Sequence, residues 1–380
     1  MKKTKKKLLI TGGLGFIGSH LARELINSDY SLTLLDNLSP QIHGNVHIIN
    51  DDLLLSPHIS FIKGDILDIR LMENILVNVD VIVHLAAETG TAQSMYQIGH
   101  YNNINSQGTA VILNLLAKLK HKVSKIVLAS SRAIYGEGSY NCNKCGIVYP
   151  TSRLLKSLEA SEWNPKCTKC KGNVNPIPTA EDSMPRPSSI YAATKLAQEN
   201  LVKIACEAIG INSVILRFQN VYGPGQSLNN PYTGILSIFS TRIRRGLNLS
   251  LFEDGLESRD FIYISDITKA IRLSIDEDAA NNKILNVGTG RPTTIMEISK
   301  LLVETLGGEQ QPVVTGQYRI GDIRHCYADT TLMSNILKFK TTMSIQTGIK
   351  KFCDWVINQP LPKDKLDIAN TELKNRGLLG

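Results

Sequence analysis

The sequence predicts an α/β protein built on a doubly wound parallel sheet. Short apolar runs alternate with longer amphipathic runs through the first half of the chain, and nearly every apolar run ends in small or polar residues. This alternation is typical of buried parallel strands that are joined by helices. A glycine-rich turn also joins the first apolar run to the first amphipathic run. In such sheets, ligands bind outside the carboxyl ends of the strands.

The first element lies in residues 7–20, KLLITGGLGFIGSH. The apolar run 8–10 predicts a buried strand, and the residues after the turn have helical spacing. Gly12 or Gly13, followed by Gly15 and Gly18, fits a Rossmann phosphate turn, although any strand-to-helix turn can use glycine. Backbone N–H groups there can approach phosphate oxygens, and the helix N-terminus favours an anion. We expect the pyrophosphate of a dinucleotide at Gly12, Gly15, Phe16, Ile17 and Gly18.

The second strand, 32–35, ends at Asp36, eighteen residues after Gly18. A carboxylate at this position can accept hydrogen bonds from both hydroxyls of the adenosine ribose, and it repels a 2′-phosphate. The next residues, Asn37 and Leu38, supply no cation. The sequence therefore favours NAD over NADP.

Further strands are expected at 59–63, 79–85, 125–129 and 213–218, with helices at 69–77, 102–120 and 188–209. The strand at 59–63 is followed by Asp65 and Ile66. Asp65 can accept a hydrogen bond from an adenine amino group, or it can cap the next helix. The strand at 79–85 leads into Ala86 and Ala87, and the strand at 125–129 is followed by Ser131.

Residues 1–220 are expected to form the dinucleotide domain, which an insertion at 137–179 interrupts. The pattern after residue 220 is mixed, with helices expected at 235–245, 266–275 and 294–306 and strands at 249–252, 261–263 and 284–287. Residues 221–360 are therefore predicted to form mainly a smaller α/β substrate lobe, some of whose strands return to the first domain. The charged residues 361–380 are expected to be a loosely packed tail.

The composition describes an ordinary globular chain. No apolar run in its 380 residues approaches the roughly 20 that a membrane helix needs, so no membrane partner is expected. Five lysines among the first seven residues carry much of the net charge of +8; a solvated tail explains them better than a nucleic-acid-binding arm. The next apolar segment carries the phosphate turn, so we reject a signal peptide and expect a cytoplasmic protein.

Four of the seven cysteines form two pairs, Cys142-x2-Cys145 and Cys167-x2-Cys170, with 21 residues between the pairs. In a reducing compartment such paired turns predict a metal rather than disulfides. Four thiolates suit a tetrahedral structural zinc that leaves no open position for water. We expect a zinc-ribbon-like insertion that walls the pocket or contacts a partner subunit, against the simpler possibility of a neutral surface decoration.

Tyr191 and Lys195 are four residues apart, which places them one turn apart on the same face of the predicted helix. A nearby ammonium favours the phenolate and makes tyrosine a usable general base. The hydroxyl of Ser131 can bridge Tyr191 and a substrate oxygen. The same spacing also occurs on ordinary solvated helices, so its weight comes from its order after the dinucleotide turn.

Taken together, these motifs resemble the extended short-chain dehydrogenases/reductases, in particular the sugar-nucleotide epimerase/dehydratase family. The resemblance is carried by Thr11 to Gly18, Asp36, Gly64-Asp65-Ile66, His84-Leu85-Ala86-Ala87, Asn105, Ser130-Ser131 with Tyr135-Gly136, Tyr191 to Lys195, Arg217 with Asn220 to Pro224, Arg259-Asp260-Phe261 and Gly321 to Arg324. It covers almost everything except the cysteine insertion and the last residues.

The resemblance implies a role for each matching residue. Asp65 and Ile66 flank the adenine of NAD, and Lys195 can bind the nicotinamide ribose. The other residues expected at the NAD site are Asn37, Leu85, Ala86, Ala87 and Asn105. Asn220 contacts the diphosphate of a nucleotide sugar, and Arg259 and Arg324 clamp phosphates, unless they form surface ion pairs instead. Glu88, Thr89 and Arg132 lie beside the sugar. The family also implies a homodimer that pairs helices such as 102–120 and 188–209.

The resemblance also constrains the reaction. Dehydratases of this family carry Thr-Asp-Glu where this chain has Ser131-Arg132-Ala133, so 4,6-dehydration is not expected. What remains is inversion of carbon 4 through a transient 4-keto sugar. The loop 86–94 and the stretch 222–232 are most similar to dTDP-L-rhamnose 4-epimerase-type members, which suggests a dTDP-6-deoxyhexose.

Three alternatives to this function stay open. Within the fold, the chain could be a UDP-hexose 4-epimerase or a 4-ketoreductase. In a different class, it could be a non-catalytic, dinucleotide-sensing protein that binds through its zinc ribbon. No nucleic-acid partner is expected, because the insertion carries only moderate basic charge with few aromatic residues.

Overall fold

The computed structural model of the chain describes residues 5–43, 52–230 and 234–380. The strands are β1 (Lys6–Thr11), β2 (Tyr30–Asp36), β3 (Ile59–Lys63), β4 (Val81–His84), β5 (Lys125–Ser131), β6 (Tyr140–Cys142), β7 (Gly146–Val148), β8 (Asn175–Pro176), β9 (Asn212–Phe218), β10 (Asn220–Tyr222), β11 (Leu249–Leu251), β12 (Ser258–Tyr263), β13 (Lys283–Val287), β14 (Pro292–Thr294), β15 (Pro312–Val314) and β16 (His325–Cys326). The helices are α1 (Phe16–Leu25), α2 (Pro40–His43), α3 (Ile69–Leu76), α4 (Thr91–Ser94), α5 (Ile98–Tyr101), α6 (Gly108–Lys118), α7 (Leu155–Glu159), α8 (Ile190–Ile209), α9 (Ile235–Arg244), α10 (Ile264–Asp276), α11 (Ile295–Leu306), α12 (Thr331–Leu337), α13 (Ile345–Val356) and α14 (Leu366–Asn375). Lys2 and Lys3, and Pro231 and Tyr232 of the stretch 222–232, lie outside the described residues.

Seven parallel strands form the central sheet in the order β13-β9-β5-β4-β1-β2-β3, which confirms the doubly wound prediction. The chain builds outward from β1 to β3 and then returns to add β4 on the other side of β1. A crevice opens where the strand order reverses, and in folds of this class that crevice holds the ligand.

The strands of this sheet are buried on both faces. Leu8 and Ile10 of β1 pack into the core on one face, next to residues of α1 and α10, whereas Leu9 packs with residues of α3 and α6 on the other. Side chains alternate along a strand, so a continuous apolar run fills both cores at once.

The predicted helix 102–120 begins as a π-helical segment at Asn102–Gln107 and continues as α6, and the short helix α5 directly precedes it.

The boundary near residue 220 is crossed by returning elements. Strand β13 pairs with β9 at the edge of the central sheet, and α10 packs on α1. One strand of the second half therefore belongs to the central sheet. The remaining elements of the lobe form a small mixed sheet of β10, β12, β14 and β16, together with the pair β11–β15. Helices α9, α11 and α13 cover a separate apolar core there.

The last residues differ from the expected loose tail. Helix α14 buries Leu366, Ala369 and Leu373 along one face. Asp364 pairs with Arg242 at 2.7 Å, and the N–H of Tyr318 donates to the carbonyl of Gly380 at 2.9 Å. The apolar stripe of α14 is only one side chain wide, and the charged residues between its members conceal it in the sequence.

The insertion folds as a three-stranded antiparallel sheet in the order β7-β6-β8. Its own apolar core consists of five buried side chains, Tyr140, Cys142, Val148, Cys167 and Val174. This core is small for a segment of its length, so the insertion needs another source of folding free energy. Within the described part of the chain, no helix combines the length and apolarity needed to cross a bilayer.

Candidate functional site

A cavity of about 640 Å³ lies between the carboxyl ends of β1, β2, β4 and β5 and the C-terminal lobe. The structure brings nearly all of the predicted site residues to its wall. They are Gly12, Gly15, Phe16, Ile17, Gly18, Asp36, Asn37, Asp65, Ile66, Leu85, Ala86, Ala87, Glu88, Thr89, Ser131, Arg132, Tyr191, Lys195, Asn220 and Arg259. Two further candidates, Asn105 and Arg324, are not among the described residues that line it.

The turn after β1 is shaped for close approach by a ligand. Gly12 has a φ of +68°, and a Cβ there would lie 2.9 Å from the backbone nitrogen of Ala86. Gly13 packs against Leu34 instead of lining the cavity, which favours the register that begins at Gly12. Gly15 is the N-cap of α1 and has no side chain to bond the first N–H groups of that helix. The turn therefore offers backbone donors and a helix N-terminus to an anion.

Asp36 stands at the end of β2 with its carboxylate fixed. One oxygen accepts the N–H of Leu14 at 3.0 Å, and the other accepts the N–H of Leu38 at 2.9 Å and lies 3.2 Å from Nε2 of His43. Burial raises the pKa of Asp36, but these hydrogen bonds outweigh it and hold the pKa below its usual value. Asp36 is therefore an anion at neutral pH.

Asp65 does not cap the helix that follows it. Its carboxylate accepts from Nδ2 of Asn37 at 2.9 Å and from the N–H of Leu67 at 2.9 Å. Asp68 is the N-cap of α3 instead, accepting the N–H of Leu71 at 3.1 Å. Asp65 is therefore not the cap of α3, and it lies on the cavity wall.

The cavity loop that begins after β4 is fixed from behind by buried polar groups. His84 bonds through Nδ1 to the Thr11 hydroxyl at 2.7 Å and through Nε2 to the Thr109 hydroxyl at 3.0 Å. The Thr11 hydroxyl in turn accepts the N–H of Ala86 at 3.2 Å. Burial and the charge of Lys195 lower the pKa of His84 to about 3, so its ring stays neutral.

Asn105 has a supporting position in the structure. Its side chain is buried, accepts the N–H of Glu88 at 2.8 Å and donates to the Glu88 carbonyl at 3.1 Å. It also donates to the Thr194 hydroxyl at 2.9 Å and so ties the loop to α8. This amide therefore positions the residues that line the cavity.

Tyr191, Lys195 and Ser131 lie together on the cavity wall. Helix α8 begins beside them because Ser189 caps it, accepting the N–H of Ala192 at 3.2 Å. Ser131, the last residue of β5, accepts the N–H of Ala133 at 3.1 Å. A strand end and a helix start therefore bring a hydroxyl, a phenol and an ammonium to one place.

Two cations, Arg132 and Lys195, line the cavity together with Tyr191. Burial raises the pKa of Tyr191, while a hydrogen bond with Ser131 and the charge of Arg132 oppose the rise. The Lys195 ammonium instead donates to the Ala129 carbonyl at 3.0 Å, and burial lowers its pKa to about 7. Arg132 is therefore a cation that opposes the rise in the pKa of Tyr191, and the spacing of Tyr191 and Lys195 did not reveal it.

Arg132 and Arg259 are held by neighbours from different elements. Nε of Arg132 donates to Oδ1 of Asn220 at 2.8 Å, so this amide orients a guanidinium on the cavity wall. Nη2 of Arg259 donates to Asp322 at 3.0 Å and to the Ile323 carbonyl at 2.7 Å. Both guanidinium groups are thereby fixed where an anionic ligand could meet them.

Arg324 does not line the cavity, and its guanidinium lies among carboxylates. It is 2% exposed and donates to Asp254 at 2.6 and 2.7 Å and to Glu253 at 3.0 Å. A nearby arginine, Arg319, does line the cavity, and its guanidinium lies over the Phe252 ring at 4.5 Å. Arg319 and Asp322 were not among the predicted site residues. Both lie within two residues of Gly321, which belongs to a motif that carries the family resemblance.

The four paired cysteines converge in the insertion. Their sulfur atoms all lie within 4.8 Å of one another, and the sulfurs of Cys142 and Cys170 are 3.5 Å apart. The N–H groups of Cys170 and Lys169 lower the pKa of Cys167 to about 6. Zinc–sulfur bonds of about 2.3 Å in a tetrahedron need sulfurs just under 4 Å apart, so these residues fit such an ion.

The similarity to known proteins extends over both the central sheet and the C-terminal lobe. The model of the NAD dependent epimerase/dehydratase family matches residues 8–153 and 161–288. The chain is 35% identical to the dTDP-L-rhamnose 4-epimerase of Burkholderia thailandensis over 93% of this chain and 96% of that protein. Two similar solved structures are the UDP-glucose 4-epimerase of Thermotoga maritima with UDP-glucose (29% identity, TM-score 0.75, 92% of this chain and 98% of that one) and the UDP-glucuronic acid 4-epimerase of Bacillus cereus with UDP-glucuronic acid and NAD (25%, 0.75, 92% and 99%).

Proposed function

Because this chain belongs to the NAD-dependent epimerase/dehydratase family, we propose that it is an NAD-dependent 4-epimerase of a nucleotide-activated hexose. The observation that carries the proposal is the shared cavity. The phosphate turn and Asp36 line it, as do Ser131, Tyr191 and Lys195. The glycine turn, the α1 N-terminus and the Asp36 carboxylate fit NAD, which supplies a reversible hydride acceptor when it is bound.

In this mechanism Tyr191 acts as the general base. Its phenolate takes the proton of the 4-hydroxyl, while the Ser131 hydroxyl hydrogen-bonds the same substrate oxygen. Arg132 stabilises the phenolate by its charge, and Lys195 is placed one turn away to bind the cofactor ribose. The keto sugar then rotates in the cavity so that its other face is presented. Tyr191 returns its proton to the oxygen on carbon 4, whose configuration is now inverted.

Water elimination needs a catalytic acid and a catalytic base. The cavity wall has neither at the positions where dehydratases of the family carry them. Residues Arg132 and Ala133 follow Ser131 where dehydratases of the family carry two carboxylates. One of these residues is a cation that hydrogen-bonds Asn220. A guanidinium cannot act as a carboxylic acid or base there, so a reversible oxidation at carbon 4 is the chemistry these groups support.

For the substrate we favour a dTDP-6-deoxyhexose such as dTDP-L-rhamnose, in line with the Burkholderia relative. UDP-hexoses are the second candidate, because the protein from Thermotoga maritima is a UDP-glucose 4-epimerase. A screen of dTDP-, UDP-, GDP- and CDP-sugars, read by NMR for a new isomer at carbon 4, tests the proposal. We expect turnover of dTDP-L-rhamnose to its 4-epimer. No turnover of any sugar, with salt-sensitive nucleic-acid binding, would favour a non-catalytic binding protein instead.

We also propose that the four-cysteine cluster holds one structural zinc ion. The convergence of four sulfurs supports this, as does the small core of the insertion. Metal binding would then supply folding free energy that this polar segment lacks. Thiolate ligands persist in a reducing compartment, which agrees with a cytoplasmic location.

We further propose a homodimer that pairs α6 and α8 of two chains. Leu201 and Ile204 of α8 are 36% and 68% exposed although both are apolar. They lie three residues apart on one face of a twenty-residue helix. A second copy of this face would bury them.

A further inference from the structure

One buried arginine of the insertion contacts a residue that lines the cavity. Arg153 lies between the two cysteine pairs, and its side chain is 3% exposed. Its Nε is 3.1 Å from Oε1 of Glu137, and its Nη1 is 2.7 Å from Oε1 of Glu253. Its Nη2 donates to the Asp322 carbonyl at 3.0 Å. A single guanidinium therefore joins the start of the insertion, at Glu137, to two segments of the lobe.

We call residues 319–324 the clamp segment. Arg319 and Asp322 of this segment line the cavity. The Asp322 carboxylate accepts from Arg259, and Nη1 of Arg259 also donates to the Arg324 carbonyl at 3.0 Å. Arg153 therefore bonds the backbone of the residue whose side chain fixes Arg259.

Further contacts tie the clamp segment to the insertion at both of its ends. Near the first end, the ring of Trp163 lies 6.3 Å from that of Tyr318. The Trp163 carbonyl also accepts from Arg153 at 3.0 Å. At the other end, Nε of Arg324 donates to Oδ1 of Asn164 at 3.1 Å. The clamp segment is thus held at Asp322 and Arg324, and next to its first residue at Tyr318, by residues that lie between the cysteine pairs.

The carboxylates around Arg153 depend on its charge. Burial raises the pKa of Glu137 and of Glu253, and the guanidinium of Arg153 opposes both rises. Glu137 also accepts the N–H of Arg324 at 2.8 Å, so it bonds the clamp segment directly. Without Arg153, two buried carboxylates would lose a partner beside the clamp segment, and a rearrangement there would follow.

We propose that Arg153 is a positioning residue that holds the clamp segment so that Arg259 and Arg319 can bind the diphosphate of the nucleotide sugar. The inference rests on the proposed function, since that function supplies the diphosphate. Arg153 is not among the described residues that line the cavity, so it acts on a bound nucleotide sugar through the clamp segment. The insertion thereby sets affinity for the nucleotide while the chemistry at Tyr191 is left unchanged.

The test measures binding of dTDP and of UDP to the full-length protein by calorimetry, together with KM and kcat for the sugar. Arg153→Gln is expected to raise the nucleotide Kd and the sugar KM by about tenfold or more, since misplaced binding groups lose much of their effect. NAD affinity and kcat at saturating sugar should stay near wild type. Arg153→Lys keeps the charge that folding needs but loses the planar fork, so its Kd should rise by a smaller, measurable factor.

Lys125→Met is the matched control. Lys125 is also a buried cation, and its ammonium donates to the carbonyls of Ser274, Ile275 and Glu277 at the opposite end of β5 from the cavity. This variant should lower the melting temperature and leave the nucleotide Kd unchanged.

Nucleotide affinities of both Arg153 variants equal to wild type would overturn the inference and leave the proposed function standing. A parallel loss of NAD and nucleotide affinity would overturn it too, because it would indicate general unfolding. If the wild-type protein binds neither dTDP nor UDP, this inference fails; if it also converts no nucleotide sugar in the screen, the proposed function fails with it.

Discussion

Tyr191→Phe is expected to lower kcat by about 10²–10⁴-fold, because the substitution removes the general acid–base group and keeps the ring that fills the cavity wall. NAD binding and the fold should be unchanged. Turnover of the nucleotide sugar identified by the screen, followed by NMR, measures the effect. Since the phenolate is the active base and burial raises the pKa of Tyr191, wild-type kcat should rise with pH through the neutral range.

Tyr30→Phe provides the matched control for that variant. The Tyr30 hydroxyl donates to Asp276 at 2.6 Å and belongs to the first residue of β2, at the edge of the sheet away from the cavity. Its loss should cost some stability and leave kcat near wild type. If Tyr191→Phe kept more than about a tenth of wild-type turnover, Tyr191 could not supply the expected acid–base effect.

Replacing both Cys142 and Cys145 by serine is expected to remove the metal completely and to unfold the insertion. Elemental analysis of wild-type protein purified without chelator should give about one zinc per chain, and the double variant should give none. Hydrogen exchange should then lose protection across residues 137–179, because five buried side chains are too few to hold this segment alone. The central sheet should keep its protection.

The double variant Cys206→Ser/Cys353→Ser is the control. It tests whether removing two cysteines outside the cluster also causes loss of metal. Both cysteines are buried far along the chain from the insertion, one in α8 and one in α13. This variant should retain one zinc per chain. Wild-type protein without metal, or a Cys142/Cys145 variant whose insertion stays protected, would show that the cluster is not a structural metal site.

Local patterns were sufficient to predict much of the fold and many of the residues around the cavity. The turn from Gly12 to Gly18, the end of β2 at Asp36 and the spacing of Tyr191 and Lys195 each depend on residues close in sequence. Their convergence follows from the rule that parallel strands present their carboxyl ends on one edge. For these parts, sequence order already implies spatial order.

Contacts between residues that are far apart in the sequence could not be predicted in the same way. An apolar strand does not reveal its partner, so the pairing of β13 with β9 needed the structure. Arg319 and Arg324 flank the same Gly321-Asp322 pair, and only the path of the chain decides which of them lines the cavity. The direction of the Lys195 ammonium, which bonds the Ala129 carbonyl, is likewise set by packing across elements.

The fate of the hydrogen at carbon 4 tests the central claim most directly. A nucleotide sugar carrying deuterium at carbon 4 should be converted in ordinary water to an epimer that keeps its deuterium, because a hydride that leaves and returns to the same carbon does not exchange with solvent. Replacement of the deuterium by solvent hydrogen during epimerisation would contradict a transient oxidation at carbon 4.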